Sequence, residues 1–318
     1  MTRQERTLNI MPTVEPALHT LIAPLTGNEA NLDDLQGNIL KGHGRDHSAH
    51  IFLKFNAGQE VAVRAWLTGL RPQITTASKQ LGAVKEFKEK GTDGGIFQVF
   101  FVTAEGYRYF GKDVTLFQDE KFRNGLRGSK DDLNDPPDDK WDEELQEVYH
   151  AMLLVAHRSQ ANVAFLAKEV QAKTASFATS KVIFGDQQKN ERGDGIEHFG
   201  YVDGRSQPLM LQDDIAAESD GTSIWDPTAG PNLVLVRDPF GEEYSSGSYF
   251  VFRKLEELVK DFKTQEQRLA DALFLKGSKR ELAGAMVIGR FEDGTPVTMF
   301  DEPKIEDSQT PNGGVAPN

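Results

Sequence analysis

The sequence predicts an α+β protein built on a ferredoxin-like unit, followed by the opening of a second such unit. Two observations carry that expectation. The first half reads as strands and helices in the order β-α-β-β-α-β, and the second half begins another strand–helix pair like the first. A third sets the scale: 318 residues suffice for two domains with cores of their own.

Taken in order, residues 1–30 carry three prolines and little periodicity, and read as an N-terminal arm. His50 to Phe55 reads as a strand, and Glu60 to Leu70 as a helix with Val61, Ala65 and Leu67 among its apolar positions. Ile96 to Val102 is apolar almost throughout, the pattern of a strand buried on both faces. A short helix, Ala104 to Phe110, follows. Lys130 to Asp142 then packs six Asp and two Pro into thirteen residues and reads as a mobile surface loop. Val148 to Ala156, Gln160 to Lys173 and Lys181 to Phe184 read as strand, helix and strand, which closes a first domain over residues 31–190.

A connector over 191–246 leads to the second unit, 247–298. Ser248 to Arg253 alternates like a strand. Lys254 to Leu275 reads as a helix with Leu255, Leu258, Val259, Phe262, Leu269 and Leu273 on one stripe. One strand and one helix cannot complete a split β-α-β sheet, so the second unit is expected to be incomplete, with an unpaired edge. Residues 299–318 are polar and rich in Pro and Gly, and read as a disordered tail.

Composition narrows the function. A formal charge of −13 argues against nucleic-acid and anionic-membrane partners, which need clustered Lys and Arg. No segment approaches the ~20 apolar residues of a membrane span. With no cysteine in the chain, disulfides, thiolate haem ligation and Cys zinc sites are excluded. Together with an N-terminus that leads into no apolar leader, this gives the cytoplasm as the expected location.

The stretch richest in chemistry is Gly195-Ile196-Glu197-His198-Phe199-Gly200-Tyr201-Val202-Asp203-Gly204-Arg205-Ser206-Gln207-Pro208. Glycines at 200 and 204 permit positive φ and close backbone approach, an arrangement suited to aiming the Asp203 carboxylate into a pocket. These residues resemble the Gly-x-x-Asp-Gly signature of the dye-decolourising (DyP-type) haem peroxidases, Phe199 and Ser206-Gln207-Pro208 included. Gln36-Gly37-Asn38-Ile39-Leu40, Gly247 to Leu255 and Glu281 to Pro296 resemble three further landmarks of that family, in the family's order.

The resemblance implies two ferredoxin-like domains of the dimeric α+β barrel type, and haem b as cofactor. It implies hydrogen peroxide and a dye-like or phenolic aromatic reductant as substrates. Asp203 would be the acid–base residue on the distal haem face. Phe199, Gly204, Arg205 and Ser206 would border the cofactor, with Val202 as apolar wall and Arg205 toward the propionates. The proximal His and distal Arg of the family fall in a segment beyond this sequence, and no histidine follows His198. No residue here is therefore assigned as metal ligand, and the chain alone is expected to bind haem weakly. A non-catalytic remnant, or the N-terminal half of a split peroxidase acting as an assembly subunit, is the alternative. Either a C-terminal partner chain or a second copy is the expected companion. The spacing of His43, His47 and His50 suits zinc, but surface histidines explain it better. His150 and His157 flank one strand and should face opposite ways.

Overall fold

The computed structural model describes residues 29–204, 209–211, 214, 231–241 and 245–304. The predicted arm therefore lies almost wholly outside the described residues, as do Arg205, Ser206, Trp225 and the tail from 305 on.

Four strands form one antiparallel sheet: β1 (His47–Phe55), β2 (Phe97–Val102), β3 (Ala151–His157) and β4 (Ala178–Asp186). Their order is β2-β3-β1-β4, the ferredoxin-like arrangement. Ile51 stands opposite Leu153 on one side and Val182 on the other, so the register puts apolar residues of the central strands on one face. Two helices cover that face, α2 (Glu60–Leu70) and α6 (Gln160–Thr174). Val63 and Val163 from these helices join Ala49, Ile51, Leu53, Leu153 and Val155 in the main core. Burying each such side chain contributes roughly 1.5–3 kcal/mol, which makes this the stable part of the molecule. Ser159 caps α6 by accepting the Asn162 N–H at 3.4 Å.

Among the helices that sequence patterning overlooks is α3 (Ala77–Lys90). Its apolar positions are sparse, and its ends are set locally: Thr76 accepts the Lys79 N–H, and Gly91 closes it in the left-handed region at φ 66°. Gln80 of this helix is buried and donates to the carbonyls of Lys41 and Gly42. The Gln36–Leu40 segment gains its meaning at the same place. Phe100 N–H donates to the Gln36 side chain at 2.7 Å, and Gln36 donates back to the Phe100 carbonyl at 2.9 Å. One glutamine thus seals part of the open edge of β2. Gly37 is glycine because a Cβ there would press to 2.8 Å of the Phe97 ring.

The acidic loop 130–142 is tied down, contrary to the expected mobile segment. Asp138 pairs with Arg127 and with Lys130, while Asp135 pairs with Arg253 and Asp142 with Lys254. These last two contacts hold the predicted second-unit strand, and that strand is itself a correction. Among the described residues Ser248 to Arg253 joins no sheet, and the ladder just before it pairs only Val236–Arg237 with Ser246–Gly247. The segment runs as a strap across the uncovered face of the first sheet, with Phe250 on Phe101 (4.3 Å between rings) and Phe252 on Phe52 (5.1 Å).

The predicted helix after it begins late, as α7 (Val259–Ala272), and α8 (Glu281–Ile288) follows. Leu258 and Leu273, which flank α7, are exposed, while inside the helix Phe262 and Leu269 of the predicted stripe are half-buried on the same face as the fully buried Glu266 and Ala270. The helix packs through Phe262, Glu266 and Ala270, residues four apart. Among the described residues the second half has no sheet of more than two strands.

Candidate functional site

The Gly195–Gly204 stretch is a tight hairpin. Ile196 bridges Val202, the Asp203 N–H donates to the Gly195 carbonyl at 3.0 Å, and the Glu197 N–H donates to the Tyr201 carbonyl at 2.9 Å. Gly200 at φ 96° makes the reversal, a conformation that costs a residue with a Cβ about 1–2 kcal/mol. The Val202 N–H donates to the Glu292 carbonyl at 3.1 Å, which docks the hairpin on the turn after α8.

Side chains clamp the same hairpin from α7. The Tyr201 hydroxyl, buried, donates to the Glu266 carboxylate. Lys263 reaches both Glu266 (3.0 Å) and Glu292 (2.6 Å), and its ammonium stands 5.0 Å above the Tyr201 ring. Burial and then the Glu266 carboxylate push the Tyr201 phenol well above its ordinary value. Burial works against the Lys263 charge, yet hydrogen bonds to Glu292 and Glu266 hold the amine above its ordinary value. Gly284 of α8 is the floor of this cluster, where a Cβ would collide with both the Tyr201 hydroxyl and Glu266. Sequence reasoning missed all of it. The one legible signal was the i,i+3 spacing of Lys263 and Glu266, too common to single out.

The structure separates the predicted site residues. Asp203 is solvent-exposed, its carboxylate accepting the Gly204 N–H at 2.7 Å, with Gly204 at φ 78°. Phe199 packs on Phe262 (4.4 Å between rings), so its ring is spent on α7. Negative charge gathers nearby: partial burial first, then Asp203 and Glu257, raise the Glu197 carboxyl. Arg205 and Ser206 lie outside the described residues.

A cavity of about 1710 Å³ lies elsewhere, between the uncovered sheet face and the strap. Phe52, Phe101 and Met152 line it from the sheet and Phe250 and Phe252 from the strap, with Arg127 and Trp141 at its side. Asp203 is exposed and does not line this cavity, whereas the glycine spacing was expected to aim its carboxylate into a pocket. The reason is packing: the hairpin is claimed by α7 and α8, while the strap is claimed by the first sheet.

Of the described histidines, His50 packs on the strap, its ring 5.1 Å from that of Phe252 and its Nδ1 buried without a partner. None lines the cavity. His150 accepts the Phe55 N–H and His157 the Ser159 N–H, each through Nδ1. His47 Nδ1 pairs with Asp186 at 2.6 Å, and His198 stands 3.5 Å from Glu257. His43 accepts the Arg45 N–H, and burial, then Arg45, push it down to about 4. The zinc spacing of His43, His47 and His50 gathers no metal cluster among the described residues. A haem needs an axial donor over an apolar slot. The described residues supply apolar walls in one place and the Asp203 carboxylate in another, and so do not fit haem by themselves.

Comparison with known proteins fits this division. Residues 34–187 match the family described as the DyP dimeric alpha+beta barrel domain. Multifunctional dye peroxidase DyP2 of Amycolatopsis sp. is 41% identical over 288 residues, 87% of this chain and 61% of that protein. Its solved structure superimposes with a TM-score of 0.80 at 40% identity, covering 88% of this chain and 62% of that one. The DyP-type peroxidase AnaPX of Anabaena sp. gives a TM-score of 0.79 at 37% identity, over 86% of this chain and 61% of that one. No helix among the described residues is long and apolar enough to cross a membrane. The chain spans about three-fifths of the length of these relatives, and it carries the family's barrel domain at residues 34–187 and is similar in sequence and fold to the DyP-type peroxidases.

Proposed function

We propose that this chain supplies the first α+β domain and the Asp203 turn of a dye-decolourising haem peroxidase. The axial iron ligand, in this reading, comes from outside the described residues. The observation that carries it is the identity of 41% to a dye peroxidase over 87% of the chain. Asp203 would hold and release protons of hydrogen peroxide, in keeping with an exposed carboxylate kept in place by the Gly204 N–H. Phe199, Gly204, Arg205 and Ser206 would border the cofactor once the site is complete. The reductant would be a bulky dye-like or phenolic aromatic, in keeping with the Amycolatopsis relative's name as a dye peroxidase. Where an assembled site exists, haem would supply the redox chemistry, and the Tyr201–Glu266–Lys263 clamp would fix where Asp203 points.

Haem titration followed at the Soret band tests this, with peroxide-dependent dye bleaching as the second readout. The chain alone should give no stoichiometric His-type spectrum. Mixed with the part of the Amycolatopsis relative that it does not span, it should gain that spectrum and bleach dye. Asp203→Asn should then lower bleaching by roughly 10²–10⁴-fold with haem content unchanged. A full His-type spectrum from the chain alone would show that one of its own histidines serves. Haem uptake without bleaching would favour the non-catalytic assembly subunit.

A further inference from the structure

We infer that the Gln36–Lys41 segment is a second anchor of the Asp203 turn, with Lys41 and Asp214 as a positioning pair for Asp203. The turn is then held at both ends, by a different half of the molecule at each. Entering it, the chain is clamped to α7 and to the turn after α8 through Tyr201 and Val202. Leaving it, the chain reaches Met210 and Leu211, both buried, which pack with Leu35, Leu40 and Ala77 of the first domain. At the same place the Lys41 ammonium meets the Asp214 carboxylate at 2.7 Å, across 173 positions of sequence, with the two side chains 6% and 20% exposed.

The two kinds of contact differ in what they fix. Apolar burial of Met210 and Leu211 favours the docked chain but is indifferent to direction and would tolerate a slip along the surface. An ammonium buried this deeply is stable only beside a counter-charge, so the ion pair admits one register. Lys41 can act as a fixed post because its own backbone is held. Its carbonyl accepts the Gln80 side chain at 2.8 Å, the Asn38 N–H donates to the same glutamine at 2.8 Å, and Gln36 is bonded both ways to Phe100. A turn fixed at one end keeps a swing about that end. A carboxylate misplaced by about 1 Å loses on the order of 10²-fold in a reaction that depends on its placement. This inference rests on the peroxidase reading for the reaction that Asp203 would serve, and on the packing alone for the anchor.

The chain has no cysteine of its own, so Glu197→Cys in the hairpin and Lys85→Cys on α3, both at exposed positions, take spin labels cleanly. In the full chain the distance distribution between the labels should be narrow. Lys41→Met and Asp214→Asn should each broaden it about twofold or more, while amide exchange in β1 and β3 of the Asp214→Asn variant matches the parent. Lys41→Met combined with Asp214→Leu removes both charges, which should return the first domain to the parent's stability and still leave the distribution broad. Mixed with the remaining portion of Amycolatopsis DyP2, Asp214→Asn should bleach dye about tenfold more slowly than the parent mixture at equal haem content.

A parent-like width in both single variants would overturn the inference, as would a parent-like width in the double variant. Broadening that comes only with faster exchange throughout β1 and β3 would also overturn it, because the pair would then support the domain and not the turn. The distances need no haem, so a parent mixture that never bleaches removes the peroxidase assignment and leaves the anchor standing. Bleaching by the parent mixture that Asp214→Asn does not slow keeps that assignment and removes the positioning role.

Discussion

The first sheet and the Gly195–Gly204 hairpin are both packed against a pair of helices, but they are held by different materials. Around Ile51, Leu53, Leu153 and Val155 the contacts are hydrocarbon and form one continuous buried cluster. Around Tyr201 the helix contributes Glu266 and Lys263, and the contacts are a buried phenol and carboxylate flanked by a partly exposed ammonium and the Glu292 carboxylate. Apolar burial adds stability in proportion to area and is indifferent to direction. A charged, hydrogen-bonded cluster adds less net stability but fixes geometry, because each partner left alone would carry a desolvation cost. The first region is thus suited to being a platform, and the second to holding one backbone turn in one place.

Leu153→Ala should have the largest effect. It empties a fully buried site between β1 and β2 and should cost about 2–5 kcal/mol in the main unfolding transition. Denaturant titration followed by far-UV circular dichroism measures this. A loss below about 1 kcal/mol would mean that the sheet core is not the cooperative unit.

Acid comes next. His43 is held down to about 4, by burial first and by Arg45 second, against an ordinary 6.5. Between those values the unfolded chain binds the proton and the folded chain does not, so stability falls as pH drops from about 6.5 to 4. The loss should approach roughly 3 kcal/mol. Burial pulls His50 and His150 down with the same sign. His43→Gln should flatten the slope of stability against pH across that window. An unchanged slope would remove His43 as its source.

The smallest effect sharpens the comparison most. Tyr201→Phe leaves Glu266 with Lys263 as its remaining partner in the cluster and should cost about 1–2 kcal/mol, confined to the hairpin and α7. Hydrogen exchange should quicken at Tyr201–Gly204 and Phe262–Ala270 while the main transition stays put. If that transition moves as far as it does for Leu153→Ala, the two regions unfold as one and the contrast drawn here fails.

Much of this was legible in advance. The helix Glu60–Leu70 lies where its spacing placed it. The strands near His50, Phe97, Ala151 and Lys181 differ from expectation only at their ends. The hairpin glycines were legible too, because positive φ at Gly200 and Gly204 is a backbone demand that few other residues meet. Helix α3 was not, since its stability comes from two caps and from Gln80 reaching carbonyls some 40 positions away in the chain. The α7 stripe was legible only in part: Phe262 and Leu269 lie on the face that packs, but Leu255, Leu258 and Leu273 fall outside the helix and are exposed, and the surface that α7 meets carries Tyr201 and Gly284.

Local patterning, then, decided the strands of the first domain, the two helices that cover its sheet, its ferredoxin-like order and the turn that bears Asp203, because periodicity and glycine conformation act within a few residues. What each face would meet was decided by tertiary packing. Ser248–Arg253 has the alternation of a strand, yet it became a strap, since a strand exists only where another backbone lies alongside to accept its hydrogen bonds. Asp203 kept its motif and still stands apart from the cavity, because the hairpin follows α7 and α8 while the strap follows the first sheet.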